Sequence, residues 1–133
     1  MKITKLLKQF QNKDLIVIIA EDIKLLKDLS SYFLSSKILC DKTIFMTEIP
    51  YNEIIKRDYQ FFTDLKHFAY ELNTCTMIFM QYIYIKKEKL CLTDPNIDFA
   101  ITAINANKGK NKTVDFYIKK NRRGPVGTVR FEI

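Results

Sequence analysis

Five cations stand in the last fifteen residues of this chain: Lys119, Lys120, Arg122, Arg123 and Arg130, with Gly124-Pro125 and Gly127 set among them. Arginine presents a rigid, permanently charged fork that binds phosphate or carboxylate oxygens in pairs, so the chemistry on offer here is anion capture. Apolar residues alternate before the glycines (Val114, Phe116, Ile118) and after them (Val129, Phe131, Ile133), and the Gly-Pro-x-Gly run marks a turn. The pattern predicts a β-hairpin with cations at its tip. The same residues also read as a solvated basic turn. Bond-breaking chemistry has little to work with. The single histidine, His67, lies beside Lys66 on the polar side of a helix, and neither a metal nor a triad role is expected of it. Cys40, Cys75 and Cys91 are widely spaced in apolar or Thr-rich surroundings, which suits buried reduced thiols in a cytoplasmic protein better than zinc or disulfides.

The elements that must position these residues read as α/β. With 133 residues, 47% of them hydrophobic, the chain can bury one core and is not expected to be disordered. Residues 1–13 are charged throughout, so no signal peptide is expected, and Leu15–Ala20 is far short of a membrane span. Lys5–Gln11 is short and amphipathic. Leu15–Ala20 is an unbroken apolar run of the kind covered on both faces of a sheet. Asp22 can cap the helix after it, and Thr43–Thr47 is the next buried strand. A long helix is expected from Pro50 and Asn52 to about Leu72, with Phe61, Leu65, Phe68, Ala69 and Leu72 facing the core. Strands follow at Met77–Ile85 and Phe99–Ile104, and then the hairpin. Alternating strands and helices imply a largely parallel sheet.

Lys120-Asn-Arg122-Arg-Gly124-Pro125-Val-Gly127-Thr128-Val129 resembles the closing motif of the replicative hexameric DNA helicases, the DnaB family, where it runs Lys-Gln-Arg-Asn-Gly-Pro-x-Gly-Thr-Val. The resemblance implies that Lys120 and Arg122, with Arg123 beside them, reach across a subunit boundary to a neighbour's γ-phosphate. Weaker similarity runs backward. Asp64-Leu-Lys-His-Phe-Ala-Tyr-Glu-Leu-Asn73 is similar to the family's Ser-Leu-Lys-Ala-Leu-Ala-Lys-Glu-Leu-Asn helix, and Gln81 matches the nucleotide-sensing glutamine of the strand after it. Asp94-Pro-Asn-Ile-Asp98-Phe-Ala-Ile-Thr-Ala-Ile104 takes the place of the family's next strand. Asp14–Ala20 resembles the strand leading into the Walker A loop. Phe45-Met-Thr-Glu48-Ile-Pro50 resembles the run whose glutamate activates the attacking water; in another register Thr43–Glu48 would be the Walker B strand, with Thr47 replacing its aspartate. The resemblance implies one truncated RecA-like domain over 1–133, with 1–13 as an N-terminal helix or arm and 14–133 as the α/β core.

Departures from that pattern set the expected chemistry. A P-loop needs glycine to wrap backbone N–H groups around a phosphate, a lysine for the β- and γ-phosphates, and a hydroxyl for magnesium. Here Glu21-Asp-Ile-Lys-Leu-Leu-Lys27 stands in its place, and no glycine precedes Gly109. Two acids open the next helix where a triphosphate would sit. Neither catalysis nor a cofactor or metal is expected, and Glu48 and Gln81 are the only cis positions of the family's active site still matched. The expected role is that of a catalytically inactive binding module in DNA replication. Its partner would be the replicative helicase or another replication protein, or a second copy of the chain. The alternative is a stand-alone single-stranded DNA-binding protein. The net charge of +7 is concentrated in Lys86, Lys87 and Lys89, in Lys108, Lys110 and Lys112, and in Lys119–Arg130; neighbouring strands would gather these clusters at one basic edge.

Overall fold

A computed structural model describes residues 3–10, 15–20, 22–35, 43–46, 59–81, 92–106, 112–122 and 124–133; for 43–46, 59 and 81 it describes the backbone alone. Helix α1 is Ile3–Gln9, followed by strand β1 (Leu15–Ala20), helix α2 (Ile23–Ser35) and strand β2 (Thr43–Met46). Helix α3 (Tyr59–Leu72) leads into β3 (Cys75–Gln81), and β4 (Phe99–Asn105), β5 (Thr113–Asn121) and β6 (Gly127–Glu132) complete the order. The strands form one six-stranded sheet in the order β2-β3-β1-β4-β5-β6. Strands β2, β3, β1 and β4 run parallel, while β5 and β6 are antiparallel additions beside β4. The chain is therefore α/β with a mostly parallel centre.

Both faces of β1 are covered, which is why all six of its residues are apolar and buried. On one face Ile16, Ile18 and Ala20 join Phe79, Phe99, Phe116 and Phe131 beneath α1 and α2. On the other, Leu15, Val17 and Ile19 join Ile78, Met80 and Ala100 beneath α3. Asp22 starts α2 as its sequence position predicts: Oδ1 accepts the Lys24 N–H at 2.8 Å, satisfying a helix donor that has no partner within the helix. Asp22→Ala is expected to cost about 1 kcal/mol, readable as a small shift of the denaturant midpoint with an unchanged slope.

Helix α3 differs from expectation in the face it buries. Phe62 and Ala69 are fully buried, with Phe61 and Leu65 partly so, whereas Phe68 (46% exposed) and Leu72 (49%) face outward. Both stripes fit a period of 3.6, and packing against β1 and β3 selects the one centred on Phe62. The helix ends at Asn73, whose φ of 54° reverses the chain. Thr74 N–H donates to Ala69 O at 2.9 Å and Asn73 N–H to Tyr70 O at 3.3 Å, closing the last turn before β3. Pro50 and Asn52, where this helix was expected to start, lie outside the described residues, as do Thr47, Cys40, Cys91 and the end of the predicted 77–85 strand.

Candidate anion-binding end of the sheet

A β-bulge decides where the basic residues go. In the β4–β5 ladder Ala100 pairs with Lys120 but Ile101 pairs with Ile118, so Lys119 is an extra residue on β5. Val114, Phe116 and Ile118 point under α1 and α2. An unbroken alternation would send Lys120 the same way, into the apolar core. The bulge turns it to the α3 face instead, where Lys120 Nζ donates to the Asp94 carbonyl at 2.6 Å. Asn121, one residue on, faces α1 and donates to Gln9 Oε1 at 3.3 Å.

Arg122 meets the same 94–98 segment. Its Nη1 lies 2.9 Å from Asp98 Oδ1, its Nη2 donates to the Pro95 carbonyl, and its backbone N–H donates to Asp98 O at 3.0 Å. Asp98 is the centre of this end of the molecule. Its Oδ2 accepts the Leu15 N–H at 2.8 Å and also bonds Lys66 Nζ from α3, and its own N–H donates to Leu15 O at 2.9 Å. The carboxylate is 6% exposed, Lys66 12% and Arg122 44%. Asp98 therefore ties β1, β4, α3 and the end of β5 together, with an inner cation and an outer one. Asp94 is fully buried: Oδ1 accepts from Asn96 N at 2.8 Å, while Oδ2 has no hydrogen-bond partner. Because α3 runs into β3 and β5 runs back along β4, all of these groups lie at the N-terminal ends of the parallel strands.

The segment joining β5 to β6 projects from that end. Its described residues, Arg122 and Gly124–Val126, are exposed, with Val126 at 62%. Asn121 Nδ2 donates to Pro125 O at 3.2 Å, and a Cβ on Gly124 would stand 3.2 Å from the same nitrogen. Gly124 thus makes room for the amide that fixes the turn, whereas Gly127 has open space around it and neither glycine has a positive φ. Gly124→Ala is expected to displace the Asn121 amide, seen as shifted amide resonances for 121–125, while Gly127→Ala leaves them in place.

The opposite end of the sheet carries different chemistry. At the carboxyl ends of the parallel strands, where ligands sit in open α/β sheets, the α2 N-terminus is capped by Asp22. Beside it Lys112 Nζ lies 2.5 Å from Asp28 Oδ2, and a shallow depression is lined by Asp22, Lys24, Leu25, Asp28, Asn105, Lys112 and Val114. Gln81 ends β3 here by its backbone, paired with Ala20.

Of the basic residues singled out in the sequence, Lys112 and Lys119 stand at opposite ends of β5, and β1 separates β3 from β4. The expected single basic edge is therefore not formed by the described residues, because a strand of this length holds its two ends far apart. Lys119 is exposed with Nζ 5.8 Å from the Tyr117 ring centre, and Arg130 is exposed and held by Asp115 through Nε at 2.6 Å and Nη2 at 2.9 Å. That bidentate bond and the carboxylate's charge raise the Arg130 pKa further above its already high value, so it stays charged. Lys86, Lys87, Lys89, Lys108, Lys110, Arg123 and Glu48 lie outside the described residues. Asp98 and Lys66 were not singled out as site residues. Their signal was faint: an acid directly before an apolar strand, and a lysine within the apolar stretch of a helix.

No family model matches the chain, and no curated protein matches it. Among solved structures, one described as a DnaB-like replicative helicase and its interactions with primase is similar over 84% of this chain and 32% of that one, at 17% identity and a TM-score of 0.46. This chain spans about a third of that protein's length. Among the described residues no group of three or more His, Cys, Asp or Glu could hold a metal ion, and no helix is long and apolar enough to cross a membrane.

Proposed function

We propose that this chain is a catalytically inactive, shortened relative of the RecA-like domain of DnaB-family helicases, and that it works as a binding module in DNA replication. The C-terminal hairpin, with Lys120 and Arg122 at its base, engages an anionic site on a replicative helicase subunit. One observation carries the reading: the two ends of the sheet differ in what they can offer an anion. At the carboxyl ends Asp22 already takes the α2 N-terminal donor that an anion would use, and Lys112 is engaged by Asp28. At the amino ends Lys120 and the half-exposed Arg122 flank a projecting turn. A module that donates cations to a neighbour's phosphates needs only the second end.

Arg122 rests on the chain's own Asp98, and this does not remove it from service. Asp98 keeps Lys66 and the Leu15 N–H when Arg122 leaves, so no buried charge is stranded. Capture of this chain from native extract, with and without ATP, tests the reading. The helicase of the same cell should be retained, and more of it with nucleotide; retention of no helicase under either condition contradicts it.

A second reading is single-stranded DNA binding on the face of β4–β6 that no described helix covers, where Lys119 lies over Tyr117. Arg130 is held there by Asp115, so among the described residues that face offers few cations to a phosphate backbone. Affinity for an oligonucleotide is expected to be weak even at low salt. Tight binding with a steep salt dependence would favour this second reading.

A further inference from the structure

We infer that Lys66, on α3, governs how freely Arg122 leaves Asp98, and is thus the positioning residue of the anion-binding end. The inference rests on the reading that Arg122 serves a partner. It concerns a residue no partner needs to touch, since Lys66 is almost buried behind Asp98.

Among the described residues, two cations share the two oxygens of Asp98. Oδ2 serves the inner pair, Lys66 Nζ and the Leu15 N–H, while Oδ1 serves Arg122. With Lys66 in place, departure of Arg122 leaves a carboxylate that is still neutralised and still hydrogen-bonded. Without Lys66, the same departure strands a buried negative charge, and Arg122 becomes its one counter-ion among the described residues. Tyr70 helps to hold the inner cation, its ring centre lying 5.2 Å from Lys66 Nζ. The Arg122 bond to the Pro95 carbonyl is common to both situations, so the charge on Asp98 makes the difference. A ligand that needs Arg122 undocked binds with an affinity scaled by the undocked fraction. Lys66 therefore tunes the affinity of the hairpin end from inside the fold.

The test compares the full chain with Lys66→Gln, Lys66→Arg, Lys66→Gln/Asp98→Asn and Arg122→Gln, each checked for folding by circular dichroism. The first readout needs no ligand: nitrogen-15 resonances of the Arg122 guanidinium, whose Cζ–Nε rotation slows when the group is docked. Slower rotation is expected in Lys66→Gln, with recovery in Lys66→Arg and in the double variant. The second readout is titration with inorganic pyrophosphate. Lys66→Gln should weaken binding about tenfold and the double variant should restore it, while Arg122→Gln abolishes it. Unchanged Arg122 rotation in folded Lys66→Gln overturns the inference whatever binds. If Lys66→Gln does not fold, Asp98→Asn alone must speed the rotation, and failure to do so overturns it equally. Pyrophosphate binding that needs Arg122 but ignores Lys66 would refute this inference and leave the proposed function standing. Absence of pyrophosphate binding together with the expected Arg122 rotation would count against the proposed function instead.

Discussion

Asp98→Ala is expected to destabilise the fold by about 3–5 kcal/mol, because it removes the shared partner of a nearly buried ammonium and of a buried backbone N–H. The carboxylate holds Lys66 from α3, Leu15 at the start of β1 and Arg122 at the end of β5. Alanine leaves Lys66 with its charge and without its carboxylate, and leaves the Leu15 N–H with no acceptor in a region closed to water. For a chain of this length the melting temperature should fall by roughly 10–20 °C. Asp98→Asn keeps an acceptor for the Leu15 N–H and should lose less. A calorimetric scan in which Asp98→Ala melts within about 3 °C of the parent would mean that the Asp98 cluster is not what joins these elements.

Arg122→Ala has the opposite profile: little change in stability and a large loss of binding. The side chain is 44% exposed, and Asp98 retains its inner partners when it goes, so the melting temperature should move by no more than about 3 °C. Binding to the helicase in the presence of nucleotide should fall by about 2–4 kcal/mol, some 30-fold or more, as for a charged group that meets an opposite charge at the centre of an interface. Fluorescence anisotropy of the labelled chain against the purified helicase measures this. Lys120→Ala should lose less binding, because its ammonium lacks the bidentate fork. Equal affinities for parent and Arg122→Ala would remove the hairpin from the interface.

What the sequence disclosed follows from how local each signal is. The apolar run of β1 and the alternation of Val114, Phe116 and Ile118 with Val129 and Phe131 depend on nearest neighbours, and the strands form where those patterns lie. Helix α3 was legible as a helix but not as a face, since the Phe62–Ala69 and Phe61–Phe68 stripes are both apolar and only packing chooses between them. The bulge at Lys119 leaves no mark in composition, yet it decides which side of the sheet Lys120 takes. The gathering of lysines at one edge presupposed neighbouring strands, but β1 lies between β3 and β4, and Lys112 and Lys119 stand at opposite ends of β5. Asp98 was quoted only within a resemblance, and its partners Lys66, Leu15 and Arg122 are distant in sequence, so a site built on that carboxylate becomes visible only when the chain is folded.

The β5–β6 end is the surface proposed to meet a helicase. Val126, 62% exposed in the segment between β5 and β6, is the place to test it. With Val126→p-benzoylphenylalanine in the full chain, irradiation with the helicase of the same cell and nucleotide should give an adduct on helicase residues bordering the nucleotide site, and the same probe placed at Lys24, at the other end of the sheet, should give none. Cross-linking from Lys24 with none from Val126 would contradict it.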